Sequence, residues 1–375
     1  MKVLLFDSSG SPYGNGLARE LNKKVDFYYV TRKGISDKSW MKKNIYYYFY
    51  DKQVKNRFNR IIKGLMYVLA YVKTMRIIKK EKIDVLHIQW LNAPLIDSFF
   101  LKKIRKKNIN IVLTAHNVLP HVEGEKYIEK YKKLYSYFNK IIVHGEAIKT
   151  EFSNYFPNYL NKVVVLHHGL YFGLSKEINL NLVNKNWLEL IKRSDKTIIF
   201  FGIMFYNKGI DIVVKQWLEK YSNTNNVLVI AGILNSEYKE LISLEDDIKK
   251  TKNIIYYPYE MKEEMLNAFV SLSDIIIMPY RHASMSGIVF KAVEFEKTVL
   301  TTDVGAIKEY LDRDNSFVCN IDEYNEYLDY ILNYVSRDEL QKKGKQLSMY
   351  VKNNYSWDVI SNQTIIKAYN EIDNQ

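Results

Sequence analysis

A single cysteine, Cys319, stands among the 375 residues, so no disulfide can form within the chain, and that absence forbids no compartment. No stretch approaches the ~18 uninterrupted apolar residues that a bilayer-spanning helix needs. The opening Met-Lys-Val-Leu-Leu-Phe-Asp7 is too short an apolar run for a signal peptide and has no cleavage site. These absences make the cytoplasm the expected compartment. Acidic residues are in deficit, 42 against 55 basic, which leaves a net charge of +13. Such an excess points to an anionic partner: a membrane surface, a nucleic acid or a phosphorylated substrate. No reader motif for nucleic acid accompanies the charge, so nucleic acid is not the expected partner. His167 and His168 are adjacent and point opposite ways on a strand, with no Cys or carboxylate cluster nearby in sequence, so no metal site is expected. No internal repeat or low-complexity linker is present.

What is present is a globular composition, 47% hydrophobic and 26% charged, in a length that suits two domains with separate cores. The thirty-one tyrosines are read as compositional bias. Short apolar runs alternate with helical patterns throughout, the pattern of an α/β protein with parallel sheets. Strands are expected at 2–6, 25–31, 83–90, 109–117, 141–146 and 163–169. After an irregular polar linker, 171–196, a second series follows at 197–202, 227–232, 254–257, 274–278 and 298–302. In open parallel sheets the strand C-termini hold the ligand, which directs attention to His87 and His116, to His121 on the loop beyond, and to the His168-Gly169 ending.

The stretch around which the second half is organised runs from Pro279 to Glu309. It reads as a strand end, a polar loop (His282-Ala-Ser-Met-Ser-Gly287), a helix from Ile288 to about Glu296, and a strand that breaks at Asp303-Val-Gly305. Ser286 and Gly287 stand where that helix begins. They are either an N-cap with a packing glycine or a place where free amides and the helix dipole admit a phosphate. Asp7 to Gly16 reads as a glycine-bearing loop feeding a helix at 17–21, either a flexible turn or a site. Residues 52–80 form a long basic helical pattern with Phe58, Ile61, Ile62, Leu65, Val68, Leu69 and Val72 near helical spacing. Two readings stay open: a helix packed on the sheet with solvated lysines, or a basic amphipathic face for an anionic membrane, which Lys102-Lys-Ile-Arg-Lys-Lys107 would extend.

The order Ser286-Gly287, helix, Lys297-Thr-Val-Leu-Thr-Thr-Asp-Val-Gly305, Glu309 resembles the donor-binding segment of retaining GT-B glycosyltransferases of the family 4 type. His87-Ile-Gln-Trp90 with Leu113-Thr-Ala-His-Asn-Val-Leu-Pro-His121 resembles the N-terminal domain of that family. Gly202 followed by Lys208-Gly209 resembles its Gly-Arg-x-x-x-x-Lys-Gly turn. The resemblance implies the GT-B architecture, α/β, with two Rossmann-like domains facing across a cleft. It sets an N-terminal acceptor domain at 1–170, a linker and nucleotide-sugar domain at 171–355, and a C-terminal helix at 356–375 that returns to the first domain.

The reaction so implied is transfer of a sugar from a nucleotide diphosphate sugar to a glycan or lipid-linked acceptor, in bacterial surface polysaccharide synthesis, retaining and without metal or other cofactor. Peripheral contact with the inner face of an anionic membrane would accompany it. The resemblance places His116 beside the donor sugar and Lys208 on the diphosphate, these two forming the catalytic pair. Gly14 and Gly16 would lie on the loop over the cleft, Gly202 and Gly209 on the phosphate turn, Tyr257 at the nucleobase, and Ser286, Gly287 and Ile288 at the diphosphate. The chain departs from the family where an arginine is usual (Ile203) and where two glutamates are usual (Ala283 and Lys291). Those departures sustain the alternative of a catalytically silent GT-B subunit that binds a partner or lipid.

Overall fold

A computed structural model describes residues 1–34, 38–51, 57–120, 124–170, 177–283 and 286–370. The chain divides into two compact units, Met1–Gly173 with Tyr355–Gln375, and Leu174–Asn354.

The first unit is built on a seven-stranded sheet: β1 (Lys2–Asp7), β2 (Asp26–Thr31), β3 (Ile45–Tyr47), β4 (Val85–Ile88), β5 (Asn110–Thr114), β6 (Lys140–Val143) and β7 (Val163–Val165), in the order β3-β2-β1-β4-β5-β6-β7. Every pairing is parallel, with Leu5 of β1 set between Tyr29 and His87. Central strands such as Val-Leu-Leu-Phe are buried along their length, as continuous apolar runs covered on both faces require. Parallel pairing brings the ends of β1, β4, β5 and β6 to one edge, so Asp7, Gln89, His116 and His144 gather there.

Helix α1 (Pro12–Lys24) begins five residues before the expected 17–21 helix, because Ser11 caps it, its hydroxyl accepting from the Gly14 N–H at 3.2 Å, and Pro12 fits the first turn. Gly14 and Gly16 therefore lie inside a helix. A Cβ on Gly14 would sit 2.1 Å from Asp7 Oδ2, and one on Gly16 would sit 2.4 Å from the Trp357 ring. Close packing accounts for both glycines.

Helix α2 (Arg57–Glu81) turns Tyr67, Ala70, Tyr71, Thr74, Ile77 and Ile78 inward. Tyr71 stacks on Phe100 of α3 (Pro94–Arg105) at 4.7 Å, and the buried Asp97 carboxylate accepts from the Tyr67 and Tyr71 hydroxyls at 2.6 and 2.8 Å. Burial pushes the Asp97 carboxyl up to about 6, against the pull of those hydrogen bonds. Of the apolar residues noted at helical spacing, Phe58, Ile61, Leu65 and Leu69 are exposed, so the helix packs through another face than the one they mark. The helix carries two apolar faces, and the one whose tyrosines satisfy Asp97 is the one buried. Gly64 sits in its middle, where glycine costs about 0.8–1 kcal/mol relative to alanine, and a Cβ there would meet nothing within 4 Å.

The second unit holds β8 (Thr197–Phe201), β9 (Val227–Ala231), β10 (Ile254–Tyr257), β11 (Ile275–Met278), β12 (Thr298–Thr302) and β13 (Phe317–Cys319), all parallel, in the order β10-β9-β8-β11-β12-β13. The edge strand β13 has three residues and gave no sequence signal. Cys319 on it is buried, which pushes its thiol up to about 12 and leaves it unreactive. The tail helix Trp357–Gln363 and a π-helical turn, Thr364–Asn370, pack on the first unit. Trp357 is fully buried there, 5.0 Å from the Tyr13 ring. No helix among the described residues is long and apolar enough to cross a membrane.

Candidate functional site

Each unit presents a cluster at its strand C-termini. In the second unit β8 ends at Gly202, whose φ of +111° turns the chain sharply. A short 3-10 turn, Tyr206–Lys208, then leads through Gly209 in the left-handed conformation (φ +68°) into the helix Ile210–Gln216. A Cβ at Gly209 would lie 1.9 Å from the Pro279 carbonyl oxygen. This turn is fastened to the 279–282 segment, where the Arg281 and His282 N–H groups donate to the Asn207 carbonyl at 2.9 and 3.3 Å. Gly209→Ala combines a left-handed alanine, costing roughly 1–2 kcal/mol, with that clash. The expected result is a loss of at least about 2 kcal/mol in urea unfolding.

Tyr280 is the hub of the cluster. The Lys208 ammonium lies 3.9 Å from the centre of its ring, and its hydroxyl is 3.0 Å from the Ser286 hydroxyl. Burial lowers the Lys208 pKa from its ordinary value. Arg281, which the sequence reading missed, stacks on Tyr206 at 4.2 Å and pairs through both terminal nitrogens with Asp211 at 2.7 and 2.8 Å. Burial works to raise the Asp211 carboxyl, but hydrogen bonds from Arg281 and Tyr238 outweigh it and hold it below the usual range. Arg281 thus braces the turn with its charge compensated, while among the described residues no carboxylate pairs with Lys208. No sequence spacing links Arg281 to Asp211, seventy residues earlier.

Ser286 and Gly287 precede the helix Ile288–Glu294, shorter than expected, and the Ile288 side chain approaches Gly202. The structure therefore gathers Gly202, Lys208, Gly209, Ser286, Gly287 and Ile288 around one loop system. Beside it lies an apolar slot of about 160 Å³ lined by Gly202, Ile203, Gly232, Ile233, Glu260 and Met261 among others. The loops after β8 and β9 run parallel, bridged between Met204 and Leu234, and a Cβ on Gly232 would sit 2.1 Å from the Gly202 carbonyl oxygen. The repeated Gly-Ile at 202–203 and 232–233 was the overlooked signal for this slot. Tyr257 stands outside it, its carbonyl taken by the Gly232 N–H at 2.9 Å. At the two positions where the family has glutamates, Ala283 is buried, and the Lys291 ammonium is held by Glu263 and Glu294, both at 3.2 Å, and Asn267 at 2.9 Å.

In the first unit His116 ends β5, half-buried, its ring stacked on Trp90 at 4.1 Å and edge-on to Tyr13 at 4.8 Å. Gln89 Oε1 lies 3.1 Å from His116 Nε2, and His144 Nε2 lies 3.3 Å from His116 Nδ1. His144 Nδ1 donates to the Leu166 carbonyl at 3.0 Å, so in a neutral ring His144 Nε2 is the acceptor and His116 Nδ1 carries the proton. His116 Nε2 then holds the lone pair, and the network is satisfied with the Gln89 amide turned so that its NH₂ donates there. Burial, with neighbouring histidines adding to it, drives His116 well below its ordinary pKa and takes His87 and His168 down to about 3; burial also takes His144 to about 4. A cavity of about 400 Å³ opens beside His116, walled by Trp90, Asn117, Tyr127, Tyr131 and Tyr135. Gln89 and Trp90 stood in the quoted His-Ile-Gln-Trp ending; Tyr13 and His144 joined this group with no spacing to announce them. His121 lies outside the described residues. Among the described residues no three His, Cys, Asp or Glu side chains form a group that could hold a metal.

Residues 16–171 match the family model described as Glycosyltransferase Family 4, and residues 195–337 match that described as Glycosyl transferases group 1. Among solved structures the chain is similar to an E. coli trehalose-6-phosphate structure bound with UDP-2-fluoro glucose, with a TM-score of 0.70, 13% identity and 98% of each chain covered. It is similar to a sucrose-phosphate synthase from Thermosynechococcus elongatus, with a TM-score of 0.68, 14% identity and 97% of each chain covered. Anabaena HepE in complex with UDP gives a TM-score of 0.67 and 13% identity over 98% of this chain and 100% of that one. At these identities the likeness shows the fold. No curated protein matches the sequence at a significant level. Each unit thus matches a glycosyltransferase family over most of its own length, on two parallel α/β sheets of the GT-B fold.

Proposed function

We propose that this protein is a hexosyltransferase that uses a nucleotide diphosphate sugar, retaining and metal-independent, acting on a glycan or lipid-linked acceptor in bacterial surface polysaccharide synthesis at the cytoplasmic face of the membrane. One observation carries this reading: the Lys208 ammonium, which among the described residues pairs with no carboxylate, shares Tyr280 with Ser286 beside an apolar slot at the strand C-termini. Breaking the glycosidic bond leaves negative charge on the departing diphosphate, and a preorganised cation with nearby amides stabilises that charge. Lys208 and the amides at Ser286 and Gly287 take that task, and the slot takes the flat base. The neutral His116 serves the sugar through Nε2, which the Gln89 amide would yield to a sugar hydroxyl. UDP and a UDP sugar in the similar structures make uridine donors the first to try.

A second reading, a silent GT-B subunit, is favoured by Ala283 and by the engagement of Lys291 with Glu263 and Glu294. Turnover separates the two, since both readings allow nucleotide binding. The test is calorimetry and a donor panel of UDP, GDP, TDP and CMP sugars. A charge-assisted bond to phosphate is worth roughly 1.5–3 kcal/mol, so Lys208→Ala is expected to weaken nucleotide binding by roughly one to two orders of magnitude. His116→Ala is expected to spare nucleotide affinity and lower turnover. EDTA is expected to leave turnover unchanged. Wild-type binding and turnover in a folded Lys208→Ala protein would remove the diphosphate assignment.

A further inference from the structure

A second pocket in the first unit, about 530 Å³, meets the His116 cavity at Trp90 and Asn92, which line both. Ser8 and Ser9 after β1, Arg32 after β2, and Arg60, Lys63 and Gly64 of α2 line it, together with Tyr50, Trp90, Asn92 and Ile96. Among the described residues three cations line it and no carboxylate does. Arg32 is fixed there by donating through Nε to the Ser9 carbonyl, while Arg60 and Lys63 reach it from exposed positions on α2. Gly64 is informative: glycine is a poor choice in a helix interior, and unlike Gly14 and Gly16 no packing demands it, since its missing Cβ would enter open space. What the missing side chain does leave is room in the pocket.

The exposed apolar face of α2 adjoins this pocket. At 100° per residue, Ile61 lies about 60° round the helix from Gly64, and Phe58, Ile61, Leu65 and Leu69 are each more than half exposed. Helix α3 repeats the arrangement, with Ile96 in the pocket wall and Leu95 and Phe99 exposed. Large exposed apolar surface of this kind marks an interaction site. Its neighbour, a cation-lined cavity, fixes the chemistry of the other end of the ligand.

We infer that this pocket and the adjoining stripe seat an amphiphilic acceptor, a phosphate-bearing lipid whose anionic head enters among Arg32, Arg60 and Lys63 and whose hydrocarbon chain lies along α2 and α3. The inference rests on the glycosyl-transfer reading and specifies its acceptor as a lipid phosphate.

The test uses the full chain, with dodecyl phosphate below its micelle threshold, inorganic phosphate, dodecyl maltoside, and vesicles of anionic or neutral phospholipid. Dodecyl phosphate is expected to bind at least tenfold more tightly than inorganic phosphate or the neutral detergent. Gly64→Leu, which fills the pocket from a position with free space and suits a helix, is expected to weaken that binding at least tenfold. The exposed pair Arg60→Gln/Lys63→Gln is expected to do the same, and Leu65→Ser to weaken dodecyl phosphate but not inorganic phosphate. All variants are expected to stay folded, Gly64→Leu melting slightly higher because a helix-interior glycine is lost, and to keep parental nucleotide affinity, which separates this inference from the donor-site reading: lost nucleotide binding by the parent would count against that reading instead. Equal binding of inorganic phosphate, equal binding of the neutral detergent, or dodecyl phosphate binding unaffected by Gly64→Leu would each overturn the proposal. So would capture by anionic vesicles with no binding of the single lipid phosphate, which would make the face a membrane-surface patch.

Discussion

Lowering the pH from 7 to 5 is expected to remove on the order of 5 kcal/mol from the stability of the first unit, comparable with the total of about 5–15 kcal/mol for a typical protein. His87, His144 and His168 have pKa values brought down by burial to about 3, 4 and 3, and His116 lies well below its ordinary value. The sign follows from linkage: the unfolded chain binds protons at these side chains below about 6.5, and the folded chain does not. Stability is therefore flat above that pH and falls below it by about 1.4 kcal/mol per unit for each imidazole, until the folded pKa values are reached. Asp97, raised to about 6, acts oppositely, because the folded state takes up its proton first and gains stability as the pH falls below 6. Asp7, whose carboxyl burial also raises, acts in the same sense as Asp97, and four imidazoles against two carboxyls leave the histidines dominant. Urea unfolding at pH 8, 6.5, 5.5 and 5 measures this, with two to four protons taken up on unfolding in the acid range as the expected slope. Removing one ring, as in His144→Gln, is expected to reduce the slope by about one proton. Equal stability at pH 7 and pH 5 would show that the imidazoles are not held neutral.

Trp357→Ala is expected to destabilise the first unit by about 3–5 kcal/mol, the usual range for a fully buried aromatic truncated to alanine. Trp357 is 0% exposed and fills the space left by two glycines: an added Cβ would meet its ring at 2.4 Å from Gly16 and 2.6 Å from Gly169. The tail is fastened around it, with Lys24 paired to Asp358 at 2.9 Å, Leu170 N–H donating to the Tyr355 carbonyl at 3.2 Å, and the Tyr369 hydroxyl 2.7 Å from His87 Nδ1. For a unit of this size the loss corresponds to a melting temperature lower by roughly 6–20 °C. Deleting the chain after Tyr355 is expected to cost at least as much. A double-mutant cycle sharpens the test. Gly16→Ala should be strongly destabilising in the parent and much milder with Trp357→Leu, since the smaller partner admits the methyl. Additive losses would show that the two residues do not share one packing site.

The histidines, the tail tryptophan and the phosphate turn differ in how far the sequence reveals them. Apolar runs of strand length alternating with helical patterns determine a parallel α/β chain, because β-strands buried on both faces have to be continuous in hydrophobicity. Punctuation by Gly202 and Lys208-Gly209 was legible for a local reason, since a left-handed turn or a close approach admits little besides glycine. Groups assembled from distant segments were not legible. Arg281 finds Asp211, Tyr13 lies among His116, His144 and His168, and Gly16 is a glycine because Trp357, far along the chain, lies against it. The same limit governed α2. Its sequence carries two apolar faces, and periodicity alone left open whether the stripe with Phe58, Ile61, Leu65 and Leu69 packs on the sheet or faces outward. Only the tertiary structure decided the matter: the buried Asp97 draws in the hydroxyls of Tyr67 and Tyr71, because a carboxylate removed from water has to find donors, and the opposite face is left to solvent.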